Sequence, residues 1–219
     1  MIKLIKHKWE DRDKIFVSSD WHNFHDPKWP IPIWKMRGYE SPQQSADDVV
    51  EKINSKVGVD DYLYYLGDGF LNATDEQCLD WFSKINCQNI YYISGNHESN
   101  MQRIYRNEVV RQYGILGADV YPLRLKNIIF LGYYQEIQIG KYSITLTHFP
   151  MHGWNRNSHG AINLHGHCHN NDESRNPKYH MGKCLDCSWD YKKDVWKISE
   201  IFDIMDTKEM YITDHHNKD

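Results

Sequence analysis

Five short motifs in this chain group side chains that could ligate a metal. They are Asp20-Trp21-His22, Gly67-Asp68, Gly95-Asn96-His97-Glu98, a lone His148, and Gly166-His167-Cys168-His169. Together they supply carboxylate, carboxamide and imidazole donors for two divalent ions, with one histidine to spare. Imidazole mixed with carboxylate and amide oxygen suits manganese, iron(II), zinc or nickel. Magnesium fits less well, because it prefers oxygen-rich octahedral shells.

Each motif must be weighed against chance. Twenty Asp and thirteen His in 219 residues make about one Asp-x-His expected without any function. A second copy, Asp214-x-His216, lies in the charged C-terminal tail, where no strand precedes it, and is read as that chance event. Gly95-Asn96-His97-Glu98 is more specific. It offers a glycine for a tight turn, a neutral oxygen donor, an imidazole, and a carboxylate able to orient that imidazole. In Gly166-His167-Cys168-His169 the two imidazoles share one side of an extended backbone, since residues two apart face the same way. His148 gains its meaning only from its position at the end of an apolar run.

The same position recurs in every motif. Residues 14–19 form a strand ending at Asp20, 61–66 deliver Gly67-Asp68, and 89–94 deliver Gly95-Asn96-His97. The strand 142–148 ends on His148, and 162–164 lead into the last motif. Between the first strands helices are expected: one capped by Ser45, a second by Thr74, and a third over 100–112 stopping near Gly114. From Val120 onward strands follow one another at 121–125, 128–131, 135–139 and 142–148, with Gly140-Lys141 as a hairpin turn. Two more, 184–190 and 195–198, close the set, and Ser199-Glu200 opens a short helix. Residues 22–42, with four prolines, read as an irregular loop. Its Trp29, Trp34 and Tyr39 argue for a functional loop rather than a disordered one. Residues 170–177 read as a polar loop and 211–219 as a frayed tail. Strands alternating with helices, then strands alone, give a layered α/β fold. It is expected to be a single domain over 1–219, with a core at about 14–201 and its site at the carboxyl ends of strands.

Composition narrows the partners. A net charge of −4 lacks the basic footprint that long nucleic acid requires. The N-terminus has no apolar stretch of signal-peptide type, and no run approaches the ~18 apolar residues of a membrane span. A soluble, cytoplasmic protein without a membrane partner is therefore expected. Five cysteines at irregular spacing fit reduced thiols better than a disulfide framework. Cys184-x-x-Cys187 lacks the second half of a zinc ribbon and is read as packing. Nothing in the sequence indicates an oligomeric state.

The order and spacing of the motifs resemble the calcineurin-like metallophosphoesterases, dinuclear phosphate-ester hydrolases, over about residues 14–201. Small single-domain members from bacteria and phages share the pattern best: Arg37-Gly38-Tyr39 before a helix, His148-Phe149-Pro150-Met151, Trp154, and Leu164-His-Gly-His-Cys-His169. The resemblance implies a four-layer αββα sandwich with mixed sheets. It implies two divalent ions, manganese foremost, one held by Asp20, His22 and His169, the other by Asn96, His148 and His167, with Asp68 bridging. Metal-activated water would be the nucleophile. His97 would serve as general acid, with Glu98 or another carboxylate holding its tautomer.

The substrate is less well marked. Gly67-Asp-Gly-Phe-Leu-Asn-Ala73 departs from the Gly-Asp-x-x-Asp-Arg-Gly of the protein phosphatase branch. The length and charge leave no room for the DNA-binding domain of the nuclease branch. A small phosphodiester or phosphomonoester remains, nucleotide-like foremost; the alternatives are a broad-specificity phosphomonoesterase and a non-catalytic scaffold of the same fold. His152 and Arg156 follow His148 on one loop and are candidates for phosphate contact, Arg being suited to bidentate binding. Trp21 and Trp154 are either an aromatic wall against a nucleobase or packing that orders the loops. His25, completing Asp-x-His-x-x-His, is a candidate for contact with the ligands or the substrate.

Overall fold

A computed structural model describes residues 3–26, 28, 30–171 and 182–210. The chain opens with β1 (Ile5–His7), a 3-10 turn (Trp9–Lys14) and β2 (Ile15–Ser18). Next come α1 (Ile33–Met36), α2 (Pro42–Lys56), β3 (Tyr62–Tyr65), α3 (Asp75–Ser83), β4 (Ile90–Ile93) and α4 (Ser99–Tyr113). Strands β5 (Leu123–Leu125), β6 (Ile128–Gly132), β7 (Tyr134–Ile139), β8 (Tyr142–Thr147), β9 (Ile162–His165) and β10 (Cys184–Asp186) follow. The described chain closes with α5 (Trp189–Lys192), β11 (Trp196–Lys197) and α6 (Ile198–Asp206).

The strands form two mixed sheets. The first has the order β11-β2-β3-β4-β6-β5, with β2, β3, β4 and β6 parallel and antiparallel strands at both edges. The second has the order β1-β7-β8-β9-β10, parallel except for the β7–β8 hairpin, where Ile139 faces Tyr142 across Gly140-Lys141. Strands buried on both faces need apolar residues at nearly every position, and β2 and β3 supply them. One face of the first sheet, with Phe16, Leu63, Tyr65, Ile90, Tyr92 and Phe130, packs on α2, α3 and α4. The other face, with Ile15, Val17, Tyr64 and Ile93, meets Ile137, Ile144, Leu146, Ile162 and Leu164 of the second sheet. Ile198, Ile201, Phe202 and Met205 of α6 join that second cluster. Helices therefore flank two mixed sheets, the architecture the resemblance implies.

Several boundaries differ from the sequence reading. Helix α2 begins a turn earlier than Ser45. Ser41 is its cap, accepting from Gln44 N at 3.1 Å, and Pro42 occupies the first turn. Proline suits that place because its missing N–H has no intrahelical partner there anyway. The loop expected over 22–42 contains the short helix α1. Strand 184–190 stops at Asp186, whose carboxylate accepts from Ser188 N at 2.9 Å and turns the chain into α5. Thr74 does cap α3, in a reciprocal box with Gln77, and α4 ends at Gly114, whose φ is 67°. None of the five cysteines is joined in a disulfide. Among the described residues no helix is long and apolar enough to cross a membrane. The tail 211–219, with Asp214 and His216, most of the polar loop at 170–177, and Pro27 and Trp29 lie outside the described residues.

Candidate metal centre

Five strand ends converge on one edge of the sandwich. β2 delivers Asp20 and His22, β3 delivers Asp68, and β4 delivers Asn96 and His97, from three adjacent parallel strands of the first sheet. β8 delivers His148 and β9 delivers His167 and His169, from two adjacent parallel strands of the second.

The donor atoms fall into two foci. In the first, His22 Nε2 and His169 Nε2 stand 3.1 Å apart, at 3.7 and 3.6 Å from Asp20 Oδ1. In the second, Asn96 Oδ1 lies 2.8 Å from His148 Nε2 and 3.0 Å from His167 Nδ1. Asp68 Oδ2 sits between them, 3.9 Å from His22 Nε2 and 3.4 Å from His148 Nε2. The geometry brings together all seven residues read as ligands in the sequence. Asp20, His22, Asp68 and His148 are buried, whereas Asn96, His97 and His167 face solvent, so the centre is reached from one side.

Both carboxylates divide their oxygens in the same way. Asp20 Oδ2 accepts from His167 N at 2.9 Å and from Ser19 Oγ at 2.6 Å, while Oδ1 has no hydrogen-bond partner among the described residues. Asp68 Oδ1 accepts from His97 N at 2.8 Å and leaves Oδ2 to the foci. A buried, unpartnered carboxylate oxygen beside two imidazole nitrogens is costly unless a cation occupies the space between them. The residues present therefore fit divalent metal. Burial by itself would raise the Asp20 carboxyl, but His22, His169 and His148 outweigh it and hold the pKa at about 2.

The backbone is strained to achieve this. Asp20, His22, Asp68, His167 and His169 have φ of 58°, 48°, 59°, 71° and 51°, left-handed values that cost a non-glycine residue about 1–3 kcal/mol each. Cross-loop hydrogen bonds hold them: Asp20 N to Gly67 O at 2.9 Å and His22 N to Asp68 O at 3.0 Å. Glycine is required where the loops touch. A Cβ on Gly67 would stand 2.6 Å from Gly95 N and 2.8 Å from His148 Nδ1.

Other expected residues take different places. Glu98 does not orient His97: it is buried, and its carboxylate accepts from Asp68 N, Gly69 N and the Tyr92 hydroxyl. It therefore pins the turn that presents Asp68. Burial lifts its pKa to about 7 against the pull of Tyr92 and those backbone N–H groups. Trp21 is fully buried, donating from Nε1 to Ser18 Oγ at 2.9 Å and stacking on Tyr65. Trp154 is buried too, with Nε1 on Ala161 O at 3.0 Å. Neither offers a ring face to a base, so both are packing residues. His25 is buried and accepts at Nδ1 from Ile33 N at 3.0 Å, tying down α1. Arg156 is exposed and borders a cavity with Glu136, Ile137 and Ser143, away from the strand ends. His152 is exposed in the turn after β8.

The sequence reading gave no role to three residues. Asp190 Oδ2 accepts from His169 Nδ1 at 2.6 Å, and Arg37 grips Asp190 from behind. Phe149 is 49% exposed, with its ring 4.6 Å from that of His167. Phe149 had a signal, an aromatic next to His148. Asp190 had none.

The calcineurin-like phosphoesterase family model matches residues 13–216, and the chain belongs to that family. Its fold is also similar to that of a protein of unknown function from Aquifex aeolicus, with a TM-score of 0.60 at 16% identity, over 87% of this chain and 98% of that one. No curated protein matches the chain.

Glu98 yields a test of the centre without metal. Its folded pKa of about 7 lies above the ordinary 4.5, so the folded state holds the extra proton between those values. Stability is then lost as pH rises from about 4.5 through about 7. In chelated protein, wild type should lose about 3 kcal/mol relative to Glu98→Gln between pH 4.5 and pH 8, measured by urea unfolding. Parallel stability curves for the two proteins would show that Glu98 ionises as an ordinary carboxyl.

Proposed function

We propose that this chain is a dinuclear metal-dependent phosphoesterase acting on small phosphodiesters. The observation that carries the reading is the pair of donor foci sharing Asp68. Asp20, His22 and His169 would hold one ion, Asn96, His148 and His167 the other, with Asp68 reaching both. Divalent ions bound there would acidify water and offset charge on the phosphoryl oxygens. The mixed donor set suits manganese, iron, zinc or nickel better than magnesium, and the family puts manganese first.

The chain's own residues then have one task left. A departing alkoxide needs a proton, and on this reading His97 gives it. Its backbone N–H is fixed on Asp68 Oδ1 at 2.8 Å, its ring lies 5.7 Å from the His22 ring, and its side chain is open to solvent. His97 is therefore assigned as general acid, without help from Glu98.

The diester preference rests on the family and on the departure of the Gly67–Ala73 segment from the protein phosphatase pattern. Nucleotide preference loses the support of Trp21 and Trp154, which are packed away. Phe149 takes their place: it is half-exposed beside His167, and its carbonyl accepts from Thr147 Oγ1 at 2.9 Å. A base stacked there would gain about 1–3 kcal/mol. A broad phosphomonoesterase is the second reading, favoured by the open, solvent-facing side of the second focus.

Turnover with manganese should exceed turnover with magnesium, and His97→Ala should lower kcat by about 10²–10⁴-fold while metal content stays normal. The loss should shrink for nitrophenyl esters, whose leaving groups need little protonation. Equal losses across leaving groups would contradict an acid role. Phe149→Ala should raise KM for nucleotide diesters and leave that for a small aryl diester unchanged; equal effects on both would remove Phe149 from base recognition.

A further inference from the structure

One guanidinium stands behind the first focus. Arg37 is 7% exposed and grips Asp190 through Nε and Nη2, each at 2.8 Å. This is the two-pronged geometry that fixes a carboxylate in orientation as well as in position. Asp190 in turn accepts from His169 Nδ1 at 2.6 Å, which leaves Nε2 to face the focus. The same guanidinium donates from Nη2 to Asp20 O at 2.7 Å and from Nη1 to Trp21 O at 2.5 Å. Those carbonyls lie in the Asp20–His22 segment that presents both donors. One cation thus braces all three donors that belong to the first focus alone.

The second focus is built differently. His148 Nδ1 rests on the neutral carbonyl of Leu66 at 2.8 Å, and His167 turns Nδ1 toward Asn96. Its other brace is Asp20 Oδ2 on His167 N. None of the hydrogen bonds of Arg37 or Asp190 reaches a side chain of this group. We propose that Arg37 and Asp190 are positioning residues for the first focus, setting how tightly its ion is held while leaving the second focus nearly unaffected. The proposal rests on the dinuclear reading above. Arg37 directly follows α1 and Asp190 lies in α5, and Lys193 Nζ closes the junction on Arg37 O at 3.0 Å. The far end of the long loop after His22 is thereby tied to the donors of the first focus.

The test is calorimetric titration of manganese into the chelator-stripped full chain. Wild type should take up two ions. Asp190→Asn keeps the shape of the side chain but removes its charge, and should weaken one binding event by about 10–100-fold, the usual effect of losing a carboxylate behind a ligating histidine. The other event should stay within about twofold. Arg37→Lys, which keeps the charge but loses the fork, should weaken the same event. Combined with Asp190→Asn it should add less than the sum of the two, since both act in part through one carboxylate. Asp190→Glu should recover part of the affinity. Placed on His148→Ala, where the first focus is the one left whole, Asp190→Asn should weaken the remaining ion; placed on His22→Ala it should not.

Equal weakening of both events, or unchanged affinities in Asp190→Asn and Arg37→Lys alike, would overturn the proposal. So would a loss of affinity matched by loss of folded structure in both metal-free variants, read by circular dichroism. Fewer than two ions in wild type would overturn the dinuclear reading itself, which separates the two failures.

Discussion

The centre depends on two buried carboxylates that each do two things at once. Asp20 and Asp68 use one oxygen to hold a backbone N–H of another loop, at 2.9 and 2.8 Å, and present the other to the donor foci. A carboxylate that only held loops would be a structural feature. One that only faced a cation would leave the loops unregistered and their left-handed residues unsupported. Because each does both, the order of the loops and the disposition of the donors are one property. Burial makes that coupling strong, since an unpaired charge inside protein is expensive.

The fold makes the convergence possible. Three neighbouring parallel strands of one sheet and two of the other end at the same edge, so the roots of five loops lie side by side. Rigid strands set the loop roots, and Gly67 and Gly95 let the tips touch. Glu98 completes the arrangement from below by taking Asp68 N and Gly69 N. The two foci are nevertheless unlike in their support: a guanidinium and a carboxylate stand behind one, a backbone carbonyl behind the other.

Much of this was legible in the sequence, for a physical reason. Metal donors placed directly after apolar strand runs leave a local mark, so Asp20, Asp68, Asn96, His148 and the two last histidines could be picked out one strand end at a time. What failed was whatever depended on direction or distance. Glu98 follows His97 in sequence, yet α4 begins just beyond it and sends its side chain inward to Tyr92. Trp21 lies between two ligand positions but points into the core, and no local pattern tells a buried indole from an exposed one. Pro42 was read as a breaker because proline both stops helices and starts them. Asp190 stands 21 residues beyond His169 and 153 beyond Arg37, in a stretch read as strand, so only the folded chain joins the three.

The central claim is that one carboxylate, Asp68, serves two ions. Low-temperature electron paramagnetic resonance of the manganese-loaded protein addresses it directly. A shared bridging group should couple the two ions magnetically and give the broadened multiline spectrum of an interacting pair, which Asp68→Asn should abolish. The hyperfine pattern of isolated, non-interacting manganese in the fully loaded wild type would contradict a shared centre.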